Sequence, residues 1–319
     1  MGGNRMRSAR RAALTTLVAI LSVGLVPTSA QALCTWWWPW GCNYTKTKYP
    51  IVLSHGLFGF DSLLGVIDYW PGIPSTLAKD GATVFVSQVS PLNSSTNRGE
   101  SIIEYLEELR AITGKQKFNL IGHSQGGLDV RYVASVRPDL VASVTSVGSP
   151  HQGTGGLASA LSGNEELAED LLGALGELIA LVAGSDDPQD AAALAAELSP
   201  EGIAAFNALH PQGLPAQPCG EGASSTNGIR YYSWTGTGVL TNPLDLFDWV
   251  FALTALLGDE ANDGLVGQCS AHLGDVIRDD YFHNHLDEVN QLFGLVPLFE
   301  TNPKSLYRTH ANRLKRAGL

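Results

Sequence analysis

Basic residues, long apolar runs and methionine are scarce in this chain, and each shortage narrows what it can do. Of 319 residues, 20 are lysine or arginine against 31 aspartate or glutamate, a formal net charge of −11. Four of the cations, Arg5, Arg7, Arg10 and Arg11, fall in the first 32 residues with no acid among them, so sixteen basic residues serve all the rest. Such a surface is repelled by phosphate backbones and by anionic headgroups, which argues against nucleic-acid binding and against polybasic membrane docking. Both methionines, Met1 and Met6, lie in the same early stretch. Past it no run is long and apolar enough to span a bilayer. No CxxC spacing supports a zinc site, and neither repeats nor a low-complexity tail point to a solenoid or a disordered arm. The composition that remains, 44% hydrophobic and 16% charged, is that of a globular domain with a proper core.

The early stretch reads as a segment outside the fold. Four arginines precede an apolar run from Ala12 to Val26, and Ala30-Gln31-Ala32 then supplies a small-x-small cleavage pattern. That is the layout of a secretory signal over residues 1–32, with a mature chain from Leu33. Export brings an oxidising compartment, where the four cysteines, Cys34, Cys42, Cys219 and Cys269, suggest two disulfides in one of three connectivities. A local Cys34–Cys42 loop with a long-range Cys219–Cys269 staple is the simplest of them.

Strand-like runs open the globular part at Tyr49-Pro50-Ile51-Val52-Leu53, then recur at residues 82–86, 118–121, 141–147 and 229–234. Several are apolar on both faces, as parallel strands covered by helices tend to be. Between them lies a helical stripe of Ile102, Ile103, Leu106, Leu109 and Ile112, with Gly114 as its stop. The alternation predicts an α/β fold. From Gly153 to about Pro218 strand signals vanish, and three helical patterns read as an insertion on the sheet. The first covers residues 165–183, with Leu167, Leu171, Leu175, Leu178 and Val182 on one face. The others start at Asp187-Pro188 and Ser199-Pro200, each a cap residue before a proline.

The sharpest chemical signal is Gly122-His123-Ser124-Gln125-Gly126. A strand precedes it and a helix from Leu128 to Val136 follows, which is the setting a nucleophile elbow needs. Ser124 is therefore the candidate nucleophile. Oxyanion donors should come from the amide of Gln125 and from the loop Ser54-His55-Gly56-Leu57 after the first strand, where Leu57 is the choice. With this elbow the chain order is serine, acid, histidine, which leaves His272, His283, His285 and His310 as bases. His285 opens a helical pattern, Leu286 to Leu292, and is preferred for that junction. A His283/His285 metal pair is the lesser alternative. For the acid, Asp263 in Asn262-Asp263-Gly264 sits in a turn, where Asp245, Asp248, Asp259 and Asp275 are less well placed.

Those residues carry a resemblance. Residues 49–60, the 122–127 elbow, Ser149-Pro150-His151-Gln152-Gly153, Asn262-Asp263-Gly264-Leu265-Val266, Asn284-His285-Leu286-Asp287-Glu288 and Thr309-His310-Ala311-Asn312-Arg313-Leu314 resemble the secreted triacylglycerol lipases of Pseudomonas and Burkholderia. The likeness runs from about Lys48 to the end. It implies an α/β-hydrolase fold: a mostly parallel sheet flanked by helices over residues 33–319, with a helical lid at 155–218. It implies hydrolysis of long-chain acylglycerols at an oil–water interface, Ser124, Asp263 and His285 as triad, and Leu57 and Gln125 at the oxyanion hole. It further implies a Cys219–Cys269 disulfide and one structural Ca2+ held by the carboxylates of Asp245 and Asp287 and the carbonyls of Gln291 and Leu295. Finally, it implies secretion through the periplasm with help from a membrane-anchored foldase. The family's usual single disulfide leaves Cys34, Cys42 and the tryptophans of residues 36–40 unaccounted for.

Overall fold

Strands buried on both faces need a helical layer on each side, and the chain supplies both. The computed structural model describes residues 43–57, 62–63, 67–154, 190–245, 247–258, 260–291 and 294–319. In order, it contains β1 (Ile51–Ser54), a small hairpin of β2 (Ser62–Leu63) and β3 (Ile67–Asp68), α1 (Ile73–Lys79), β4 (Val84–Ser87), α2 (Ser95–Thr113), β5 (Phe118–His123), α3 (Gln125–Val136) and β6 (Val141–Val147). After the insertion come α4 (Ala191–Leu198), α5 (Pro200–Leu209), β7 (Ser225–Thr226), β8 (Ile229–Gly236), α6 (Phe247–Ala255), β9 (Asp275–Tyr281) and α7 (Pro303–Arg316). Among the described residues seven strands form the main sheet in the order β4-β1-β5-β6-β8, with β7 antiparallel and β9 parallel to β8.

Alternation along each strand divides the core in two. Val52, Phe85, Leu120 and Val144 point to the face covered by α2 and α3, where they meet Ile102, Leu106, Leu109, Leu128 and Val133. Ile51, Leu53, Val84, Ile121 and Val147 point the other way, against Ile73 and Leu77 of α1 and Tyr307 and Ala311 of α7. Each such side chain, once buried, contributes about 1.5–3 kcal/mol, so the two layers hold the sheet from both sides. The predicted stripe of α2 is buried at Ile102, Ile103, Leu106 and Leu109, but Ile112, one residue from the end, is exposed. Gly114 ends that helix in the left-handed region at φ 69°.

The helix predicted at Ser199-Pro200 forms as α5, with the Ser199 hydroxyl accepting from the Gly202 amide. Its predecessor α4 begins at Ala191, where the Asp190 carboxylate accepts from the Ala193 amide. Residues 1–42, including the signal-like stretch, Cys34, Cys42 and the tryptophan cluster, lie outside the described residues, as does the apolar helical pattern at 165–183. A disulfide joins Cys219 to Cys269 across the loops before β7 and before β9. No helix among the described residues is long and apolar enough to cross a membrane.

Candidate active site

Parallel strands put their carboxyl ends, and the loops that follow, on one edge of the sheet. Ser124 stands at the end of β5 and begins α3, with φ 56° and ψ −128°, a conformation seldom adopted by a residue with a side chain. Two amide bonds hold it there: Ser124 N–H donates to Val147 O at 2.9 Å, and Gly127 N–H to Ser124 O at 3.0 Å. Gly126 is required by close approach, since a Cβ there would lie 2.4 Å from the Ser54 carbonyl oxygen. Strain, glycine and flanking strand together present a serine at a sharp turn.

The loop after β1 lies against it. A Cβ on Gly56 would sit 2.6 Å from Ser124 Cβ, so the chain at Gly56 passes directly against Ser124. Leu57 of that loop is half-buried and Gln125 is fully buried, its side-chain amide donating to Asn93 O at 2.7 Å. Arg98 of α2 anchors the loop. Its guanidinium is wholly buried and donates to the carbonyls of His55 (2.6 Å), Gly56 (3.3 Å) and Ser90 (2.6 Å) and to Asp129 Oδ2 on α3 (2.8 Å). Burial pushes the Asp129 carboxyl up to about 6 even though Arg98 pulls it down.

The candidate acid and base meet from opposite directions. Asp263 lies in a turn after α6, not directly after a strand, and Gly264 follows at φ 102°. Its Oδ1 accepts from the amides of Leu265 (2.9 Å) and Val266 (2.7 Å), which aims Oδ2 at His285 Nδ1, 2.7 Å away. A backbone bond from His285 N–H to Asp263 O at 2.9 Å fixes the same pair again. The helix predicted after His285 is a single 3-10 turn, Asp287–Val289. Asn284 Oδ1 caps it by accepting from Leu286 and Asp287, and Asn290 stops it at φ 63°. The rival histidines are occupied elsewhere. His272 bridges Gly220 O and Asp279, His310 bonds Thr145, and His283 stacks on Tyr281. The carboxylate–imidazole cluster containing His285 holds His123 and Glu288, and among the described residues no such cluster includes His283.

Three residues beside the triad carried no signal in the sequence. Glu288 is buried, accepting from Gly236 N–H at 2.5 Å and from the Thr235 hydroxyl. Burial first, and the charge of Asp263 second, push its carboxyl well above the usual range. His123, next to Ser124, holds its ring 4.6 Å from that of His285 at a tilt of 42°, and Tyr69 reaches it from the loop before α1.

Below this lies a set of acids suited to a cation. Asp245 and Asp287 are both buried, and Asp245 Oδ2 and Asp287 Oδ1 have no hydrogen-bond partner. Desolvation, with the charges of Asp248 and Asp245 nearby, pushes Asp287 up to about 7. Two orphaned carboxylate oxygens among like charges are what a hard cation would satisfy. The residues present therefore fit Ca2+, with Gln291 and Leu295 following on the same loop. Asp248, by contrast, is fully engaged by Thr241, Asn242 and Asn284.

Comparison with known proteins gives a consistent result. Residues 49–199 match the family model described as alpha/beta hydrolase fold. The chain is similar to a triacylglycerol lipase of Vibrio cholerae, 55% identical over 284 residues that cover 87% of this chain and 91% of that one. It is 40% identical to a triacylglycerol lipase of Pseudomonas fragi, over 86% of this chain and 98% of that one. Among solved structures, the mature form of the Bacillus licheniformis lipase BlEst2 superposes with a TM-score of 0.58 at 18% identity, covering 84% of this chain and 93% of that one, a likeness of fold.

Proposed function

This chain belongs to the triacylglycerol lipases of α/β-hydrolase fold, and on that premise we propose that it hydrolyses long-chain triacylglycerols through Ser124, His285 and Asp263. The observation that carries the reading is the 2.7 Å bond between His285 Nδ1 and Asp263 Oδ2, on the same edge of the sheet as a strained serine. With Nδ1–H donated to Asp263, Nε2 is left free of its proton and able to act as base. It takes the Ser124 proton as Oγ attacks the ester carbonyl, and returns it to the leaving alcohol. Asp263 holds the tautomer and stabilises the imidazolium. The amides of Leu57 and Gln125 receive the oxyanion, each donor worth roughly 3 kcal/mol. Water then attacks the acyl carbonyl while giving a proton to His285, and His285 returns that proton to Ser124 Oγ as the fatty acid leaves.

Ca2+, when bound by Asp245, Asp287 and the carbonyls of Gln291 and Leu295, supplies charge neutralisation and no chemistry on the ester. Asp287, two residues after His285, would transmit that rigidity to the base. The 155–218 insertion would serve as a lid through its apolar face at 165–183, opening on an oil surface, while Ile203 and Phe206 of α5 stay packed in the core. The charged and apolar start of the chain directs secretion through the periplasm, where a foldase assists folding. Refolding of the purified chain to full activity without a helper would remove the foldase from this account. Ser124→Ala, His285→Ala and Asp263→Asn, assayed on an emulsified triglyceride, test the chemistry. Each should abolish most turnover while the protein stays folded, because the three act as one unit.

A further inference from the structure

A single file of hydrogen bonds crosses the site beneath Ser124, and its direction is determined. The Gly56 N–H donates to the Tyr69 hydroxyl at 3.0 Å, and the Tyr69 hydroxyl lies 2.6 Å from His123 Nδ1. On the far side of the ring, His123 Nε2 lies 3.0 Å from the carbonyl oxygen of His285. A carbonyl can only accept, so Nε2 carries the proton of His123. Nδ1 is then an acceptor and takes the Tyr69 proton, while an amide can only donate, so the Tyr69 oxygen receives from Gly56. Glu288 Oε2, 3.5 Å from Nε2, faces the same proton, and Trp70 presents its edge to the ring. Burial, and repulsion from His285 whenever that ring is charged, hold His123 well towards its neutral form, so Nδ1 stays an acceptor; a second proton there would reverse its bond to the Tyr69 hydroxyl.

The ends of this chain matter more than its middle. Gly56 is the residue before Leu57 and lies against Ser124. His123 is the residue before Ser124, and the accepting carbonyl belongs to His285 itself. A Cβ at Gly56 would stand 2.9 Å from the Tyr69 oxygen, so the hydroxyl also fills the space that glycine leaves. Tyr69 is held in turn by its own carbonyl, which accepts from Gln291 Nε2 at 2.9 Å. We propose that Tyr69 and His123 are positioning residues for ester hydrolysis, a one-way bracket that sets the oxyanion loop at its distance from the peptide carrying His285. This rests on the proposed triad and oxyanion assignments. Neither side chain need touch the substrate, because each acts through a backbone group beside a reacting one.

The test uses Tyr69→Phe, which deletes one oxygen, His123→Leu, which deletes both ring bonds, and the double variant. Rates are measured on p-nitrophenyl butyrate below its solubility limit, beside inhibition by a boronic acid that forms a tetrahedral adduct on serine. Each single variant should lose about 10- to 100-fold in kcat with KM within about threefold, and the boronate inhibition constant should rise by the same factor. Because both residues belong to one chain, the double variant should be no worse than about threefold below the poorer single. A folded single variant with kcat within about twofold of the parent overturns the proposal, as does a double variant whose losses multiply. So does a rise in KM with kcat kept. Should Tyr69→Phe fail to fold, His123→Leu decides the matter alone by the same kcat, KM and boronate readings, and the reverse holds if His123→Leu fails. Ser124→Ala and His285→Ala run alongside: if either keeps parental activity, the triad reading fails, and the bracket with it, by a different signature.

Discussion

Replacing Arg98 with methionine separates what this side chain does for the fold from what it does for the site. Its guanidinium is unexposed and bonded to Asp129 and to three carbonyls, two of them in the oxyanion loop. Methionine fills the stem but strands the Asp129 carboxylate in the core, and breaking a buried pair from one side costs about 3–5 kcal/mol. For a domain of this size that lowers the melting temperature by about 6–20 °C. The deficit should depend on pH. Asp129 already has its folded pKa pushed up to about 6, above the ordinary 3.8, so its contribution to stability is complete below about pH 4 and lost as pH rises through 6. Without Arg98 the folded value climbs further and the loss deepens, so the variant's deficit should be larger at pH 8 than at pH 5. Arg98→Met with Asp129→Leu removes both charges and should recover most of the stability. Turnover should not return with it, because the His55 and Gly56 carbonyls still lack their anchor. We expect kcat on a soluble ester to remain about 10- to 100-fold low. Denaturant titrations at the two pH values and initial rates on p-nitrophenyl butyrate read out both effects. Full recovery of kcat in the double variant would refute the argument that Arg98 holds the loop, and a single variant as stable as the parent would refute the buried-pair reasoning.

Within the triad, His283→Ala should leave most activity where His285→Ala abolishes it, and the opposite pattern in an emulsion assay would reassign the base. Chelation should lower the melting temperature and erode activity slowly, with Asp245→Ala or Asp287→Ala mimicking it. Instant, complete, reversible loss at unchanged stability would point to a catalytic metal instead. In the chelated protein Asp287 has a raised folded pKa of about 7, so its contribution is complete below about pH 4, partly kept at pH 5 and lost as pH climbs through 7. Added Ca2+ should therefore restore more melting temperature at pH 8 than at pH 5, and an equal gain at both would count against Asp287 as a ligand. Hydrophilic replacement of Leu171, Leu175 and Leu178 should abolish any rate jump at an oil surface, and a parent enzyme with no such jump would end the lid account.

The parts legible in the sequence are those whose cause is local. β1, β5 and β6 announce themselves because burial on both faces demands apolar-rich runs with few and mostly small polar residues, and the structure buries every residue of all three. The elbow is legible because strain at one residue requires small neighbours within two positions of it. Asp263 is legible as a turn for the same reason. β9 is not, since Asp275-Val276-Ile277-Arg278-Asp279-Asp280-Tyr281 is a half-exposed edge strand whose place depends on β8 rather than on its own pattern. The helix predicted after His285 failed at Asn290, whose left-handed backbone ends the turn before the apolar spacing can act.

The support around the triad was illegible for a deeper reason. Pattern reading assigns polar residues outward, and along α2 Arg98 reads as one more solvated cation. It is buried because four oxygens, brought from three other segments, meet it inside, and no window on the sequence contains them together. His123 shows the same limit from the other side. Within the pentapeptide it is an unspecified residue between Gly122 and Ser124, yet its ring spans partners 54 positions before it and 162 after. A buried polar group is tolerable only where such partners converge, since an unmet one costs about 1–3 kcal/mol. The chemistry proposed for this site is thus encoded locally in Ser124, Asp263 and His285, and its geometry in side chains whose roles exist only once the sheet has formed. Substitutions at the second kind of residue should damage turnover without touching any motif by which the enzyme would be recognised.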